Sequence, residues 1–125
     1  MPEAPTPGTA PWPTDIKLRK SERLIEIAFD DGARFRLEAE YLRVESPSAE
    51  VQGHGSGQKK TVPGKAGVAI TGLEPVGNYA IRILFDDGHD TGLFTWETLY
   101  RLGRDREKIW TDDLTALERQ GLSRD

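Results

Sequence analysis

The chain has 125 residues, room for one domain, with 36% apolar and 30% charged residues and a formal net charge of -4. With no cysteine it excludes disulfides, a thiolate nucleophile, zinc fingers and cysteine-held iron–sulfur clusters. The acidic balance argues against a general nucleic-acid partner, and no window approaches the ~18 apolar residues a membrane span requires.

Met1 to Pro13 holds five of the eight prolines and few apolar residues, which predicts a disordered tail over 1–13 and one folded domain over 14–122. Met1 is followed by no basic region and apolar run, so a cytoplasmic location is expected. A segment then occurs twice: RLIEIAFDDGARFRL at 23–37 and YAIRILFDDGHDTGL at 79–93. In the first copy Ile25, Ile27 and Phe29 alternate with Leu24, Glu26 and Ala28. In the second, Tyr79, Ile81, Ile83 and Phe85 alternate with Ala80, Arg82 and Leu84. Period two places each first-named set on one sheet face. Both runs end in Asp-Asp-Gly, a hairpin turn in which Gly supplies positive φ.

Glu38 to Arg43 could form one helical turn, and the Gly-, Ser- and Lys-rich stretch 46–64 reads as a long loop. Lys65 to Thr71 reads as a strand, and Leu73 to Gly77 as a turn or bulged connection. Thr95 can cap a helix with Trp96, Leu99 and Tyr100 inward and Gly103 as its stop. Thr111 or Asp112 can cap a second helix that buries Leu114 and Leu117 and ends at Gly121. The expected class is α+β: a mostly antiparallel sheet of four or five strands built on two Asp-Asp-Gly hairpins, with two or three short helices on one side.

No catalytic residue is assigned. Ser46, Ser48 and Ser56 lie in no nucleophile-elbow pattern. The run Gly53 to Gly57 before Lys59-Lys60-Thr61 lacks the Gly that a phosphate loop places directly before Lys. Turn chemistry accounts for Asp30, Asp31, Asp86 and Asp87. His89 overlays on Ala33, on the face of Phe35 and Leu37. It is expected to be a half-buried histidine bonded to a backbone carbonyl, a metal ligand or a partner contact. Trp96 and Tyr100, one helical turn apart, fit core packing. The basic residues from Arg101 to Lys108 are interleaved with Asp105 and Glu107, as on a solvated face.

Tyr41-Leu42-Arg43, Ser46-Pro47-Ser48-Ala49-Glu50-Val51-Gln52-Gly53-His54 and Asp87-Gly88-His89-Asp90-Thr91-Gly92-Leu93-Phe94-Thr95-Trp96 resemble a bacterial domain family of unknown function. That family is similar to the N-terminal domain of gamma-butyrobetaine hydroxylase and trimethyllysine hydroxylase, and a related module is appended to some P-loop ATPases of iron–sulfur cluster assembly. The resemblance covers about residues 14–110. In the hydroxylases it implies a structural zinc held by three cysteines and one histidine. Those positions fall on or near Ser46, Ser48 and Val51, and on His89, so the zinc site should be lost here. The catalytic iron of the hydroxylases belongs to a separate domain.

The first expectation is therefore a small non-catalytic binding or adaptor domain with an unknown protein partner, linked through the ATPase resemblance to metal or iron–sulfur handling. Its surface would join the exposed parts of 43–60 with Arg43, Glu50, His89, Trp96 and Tyr100. An alternative is a divalent-metal protein using His54 and His89 with Glu45, Glu50 or Asp90. A second alternative is a small enzyme with His89 beside a carboxylate. A free sheet edge could also pair two copies into a homo-oligomer.

Overall fold

The structure, a computed structural model, describes residues 11–46, 62–89 and 92–124. Six strands form two separate antiparallel sheets of three. The first comprises β1 (Pro13–Arg19), β2 (Leu24–Phe29) and β3 (Arg34–Glu38), and runs straight into α1 (Ala39–Val44). The second comprises β4 (Ile70–Val76), β5 (Ala80–Phe85) and β6 (Leu93–Thr95), and runs straight into α2 (Trp96–Arg104) and then α3 (Arg106–Arg119). The α+β class, the antiparallel pairing, the two Asp-Asp-Gly hairpins and the turn of helix after the first are as the sequence predicts.

Alternation places the core. Ile25, Ile27 and Phe29 from β2, and Ile81, Ile83 and Phe85 from β5, are all buried. They meet Leu37, Tyr41, Leu42, Phe94, Leu99 and Leu102 in one apolar cluster. The outer face of the first sheet is charged, with Arg19 and Arg36 both paired to Glu26 on the central strand.

The duplication extends beyond the repeated segment. Phe29 donates its N–H to the Ala33 carbonyl at 2.9 Å, and Phe85 to that of His89 at 3.1 Å. Asp31 Oδ1 accepts from the Ala33 N–H at 2.9 Å, and Asp87 Oδ1 from the His89 N–H at 3.0 Å. Gly32 (φ 91) and Gly88 (φ 89) take the left-handed conformation that a side chain would oppose. Each edge strand also bulges at its start: β1 skips a residue between Pro13 and Asp15, and β4 between Ile70 and Gly72. The straight overlay holds through His89. Beyond it, Ile25 pairs with Leu37 but Ile81 with Phe94, so the second copy carries one extra residue in its return path.

Several expectations are corrected. The strand expected at 65–71 begins only at Ile70, and the connection expected at Leu73 to Gly77 is strand through Val76. Pro75 is tolerated because β4 is an edge, where a missing donor breaks no ladder on the open side. The turn follows at Gly77, whose φ is 56. β1 was not anticipated; Ile16 and Leu18 pack on the core while its charged residues face out. Trp12 accepts from the Asp30 N–H at 2.8 Å, so the fold reaches past the expected start at residue 14.

Thr95 caps α2 as expected, accepting from the Thr98 N–H at 3.1 Å. Gly103 does not stop that helix. A Cβ there would overlap the Phe35 ring, so the glycine lets α2 lie against the first sheet. The last helix starts at Arg106 rather than after Thr111 or Asp112, because Asp105 ends α2 and opens α3 with hardly a break. Gly121 (φ 68) terminates it as expected.

Candidate functional site

The first two helices are exchanged between the halves: α1 and α2 each pack the C-terminal end on the sheet the helix does not follow. From α1, Arg43 donates through Nε to Asp87 Oδ2 of the second hairpin turn at 2.8 Å. From α2, Tyr100 donates its hydroxyl to Asp31 Oδ2 of the first turn at 2.5 Å. Three residues further along each chain, Ser46 sits over Gly92 and Gly103 sits under Phe35. A Cβ on either glycine would overlap the opposite residue.

The two junctions differ in chemistry. At the first hairpin Phe29, Phe35 and Tyr100 stack edge to face, with ring centroids 5.0 to 6.0 Å apart. This is a packing contact. At the second hairpin the equivalent places hold Gly92, Arg43, Ser46 and His89. Lys65 joins them, donating to Asp87 Oδ2 at 2.6 Å. The His89 imidazole Nε2 lies 3.0 Å from Ser46 Oγ, and its ring is 6.0 Å from that of Phe85.

Asp87 is the hub of this second cluster. Burial alone would push its carboxyl up, but the Lys65 ammonium, the His89 N–H and the Arg43 guanidinium together hold it well below the usual carboxylate range. Lys65 is carried in by a segment anchored from the C-terminus. Gly64 and Ala66 donate to the Ser123 and Arg124 carbonyls at 2.9 and 2.8 Å. Arg124 in turn makes two hydrogen bonds of 2.7 Å to Glu40 and lies over the Trp110 ring.

Of the residues singled out in the sequence, Arg43 and His89 are brought together through Asp87. Trp96 lies elsewhere. Its indole N–H donates to the Asn78 carbonyl at 2.9 Å, at the opposite end of β5 from Asp87, a strand about 17 Å long. Tyr100 serves the first hairpin turn. Among the described residues, those expected on the surface fall into a polar cluster and an aromatic region. Glu50 and His54 lie outside the described residues, as do Ser48, Val51 and Asp90. Lys65 and Ser46 were not read as site residues beyond Ser46's place in the resemblance. Their approach to Asp87 and His89 is a long-range contact with no local sequence signal.

His89 is half-buried, and its imidazole meets a serine hydroxyl. Ser46 and His89, which the resemblance aligns with a thiolate and an imidazole ligand, do come together. A serine hydroxyl is no replacement for thiolate at zinc, and the chain contains no cysteine, so the residues do not fit the three-cysteine, one-histidine site. Among the described residues no group of three or more histidines and carboxylates is arranged to hold a metal ion. No helix among them is long and apolar enough to cross a membrane.

Two three-stranded meanders, each followed by a helix that closes the other half, define an α+β domain of internally duplicated build. The family model described as gamma-butyrobetaine hydroxylase-like, N-terminal, matches residues 16–100, and the chain belongs to that family. Two NMR solution structures are similar to it at 44% and 46% identity. They span 92% of this chain and 90% and 86% of their own, with TM-scores of 0.81 and 0.80. A crystal structure from Acidithiobacillus ferrooxidans, a protein of unknown function in the DUF971 family, is 41% identical. It covers 72% of this chain and 90% of its own, with a TM-score of 0.61. Comparison with curated proteins gave no match.

Proposed function

We propose that this chain is a non-catalytic binding domain whose contact surface is the Arg43–Lys65–Asp87–His89–Ser46 cluster. One observation supports the reading above others: the polar cluster stands where the other half of the same fold uses apolar packing. The crossing helix is held at the first hairpin without any cation, so the cationic donors in excess at the second are available for recognition. The family matched is that of an N-terminal domain, which fits a module acting alongside others.

The test is quantitative affinity capture from cell extract, with bound proteins identified by mass spectrometry. The native chain is compared with an Arg43→Glu/Lys65→Glu variant of unchanged circular dichroism. A discrete protein retained by the native chain and reduced at least tenfold by the reversal is the expected result. Retention indifferent to the reversal, or no discrete protein, would overturn the reading.

A second reading is a divalent-metal site formed by His89 with His54. The observation favouring it is that the His89 Nε2 points to Ser46, the residue from which the stretch carrying His54 departs. Calorimetric titration of the untagged protein with zinc, nickel and iron(II) tests it. Submicromolar binding lost in both His54→Ala and His89→Ala supports the site; its absence removes the reading and any link to metal or iron–sulfur handling built on it.

A further inference from the structure

We infer that the Arg43–Lys65 pair receives a single carboxylate from the partner, an Asp or Glu side chain or a chain terminus. This rests on the binding-domain reading and names the chemistry its surface takes.

The inference follows from how donors and acceptors are distributed. Asp87 accepts three bonds: Oδ2 accepts from both Arg43 Nε and Lys65 Nζ, and Oδ1 from the His89 N–H, so both oxygens are engaged. The donors are not all spent. Among the described residues Arg43 spends only Nε on Asp87, which leaves both terminal amino groups of its planar fork. Lys65 spends one of three ammonium protons. Two cations gathered on one carboxylate leave the trio with an excess of one positive charge and a surplus of donors. That surplus takes an oxyanion. A carboxylate balances the excess, whereas a doubly charged phosphate would overshoot it beside the fixed negative charge of Asp87.

Geometry points the same way. The side chains of Arg43 and Lys65 are 15% and 22% exposed, so both are held in place without being sealed from solvent. A guanidinium fixed through Nε presents its remaining edge for two parallel bonds to a planar carboxylate. The corresponding place in the first half is occupied by Tyr100, which has no cation to offer. The surplus of cationic donors therefore belongs to one half of the fold alone.

The experiment titrates the isotope-labelled full chain with three probes, read by amide and arginine Nε–Hε NMR shifts. The probes are the peptide Ac-Gly-Gly-Glu-Gly-Gly-NH2, the same peptide with Gln for Glu, and inorganic phosphate. The Glu peptide should produce saturable shifts centred on Arg43 Nε–Hε and on the amides of Asp87 to His89. The Gln peptide should produce none, and phosphate should bind more weakly than the Glu peptide. Arg43→Gln, whose spectrum elsewhere should match the native one, should abolish the response. Absence of localised shifts, equal shifts with the Gln peptide, or tighter binding of phosphate would each overturn the inference. Should Arg43→Gln prove unfolded, Lys65→Met provides the same readout. A partner captured in a charge-dependent way, with no response to the Glu peptide, would sink this inference and leave the binding-domain reading standing.

Discussion

Arg43 and Tyr100 hold equivalent places in the two halves of the chain. Each lies on the helix that leaves one sheet, and each donates to the second Asp of the other sheet's Asp-Asp-Gly turn. The turn needs that Asp for its own N–H in both cases, through Oδ1. Its Oδ2 is then left for the crossing helix. A single Asp thus closes its own hairpin and locks the opposite helix. The duplicated architecture accommodates a phenol at one lock and a guanidinium at the other.

The phenol lock predicts a local titration. The Tyr100 hydroxyl, and next the Ala33 N–H, hold the Asp31 carboxyl below its ordinary value. Tyr100→Phe removes the first and should raise the Asp31 carboxyl toward the usual range. Carbon-detected NMR titration of the aspartate carboxyls reads this directly. An Asp31 that titrates identically in both proteins would mean that the crossing contact does not persist in solution.

Much of this arrangement was legible in the sequence, and the missing parts share a cause. The hairpins announced themselves because alternation and Asp-Asp-Gly are local signals. So did the Thr95 cap, which bonds a residue three positions on. β1 went unseen because Ile16 and Leu18 are its only large apolar residues in a charged run. Gly103 read as a stop because its real constraint, the Phe35 ring, lies far away in sequence. The Ser46–His89 contact is likewise set by the crossing of α1 to the other half, and the Lys65–Asp87 contact by the C-terminal anchoring of 64–66, neither of which a local pattern encodes.

A buried hydrogen bond joins the two halves near their centre. Tyr41, 1% exposed, donates its hydroxyl to the Leu102 carbonyl at 2.7 Å. Burial first, and then the charges of Glu45 and Asp113, push the phenol well above its ordinary range, so it stays a donor at any physiological pH. Tyr41→Phe keeps the ring against Trp110 and strands the carbonyl, at a cost of about 1–3 kcal/mol. Urea denaturation should show a lower midpoint with an unchanged slope. A variant as stable as the native chain would refute the contact's role.

The guanidinium lock predicts an acid-dependent term. Asp87 has a folded value below its unfolded value of about 3.9. Its contribution is therefore fully present above that unfolded value and is lost as pH falls through it toward the folded one. Asp87→Asn should be less stable than the native chain at pH 7, by about 2 kcal/mol for lost bonds to charged partners. The two stability curves should converge as pH drops below about 4. Parallel curves across that window would show that Asp87 is not the group responsible.

The paired small residues make the sharpest test of the exchanged packing. Gly103→Ala gains about 1 kcal/mol of helix propensity yet drives a methyl group into Phe35, whose ring is fixed between Phe29 and Tyr100. Overpacking of this kind costs about 1–3 kcal/mol, so the net effect should be destabilising. Adding Phe35→Leu should recover part of the loss. At the other junction Gly92→Ala collides with Ser46 Oγ, and Ser46→Gly removes the obstacle. The double variant Gly92→Ala/Ser46→Gly should thus be more stable than Gly92→Ala alone, the coupling in a double-mutant cycle exceeding 0.5 kcal/mol as expected for residues in direct contact. Simple additivity at both junctions would mean that the helices do not cross between the halves.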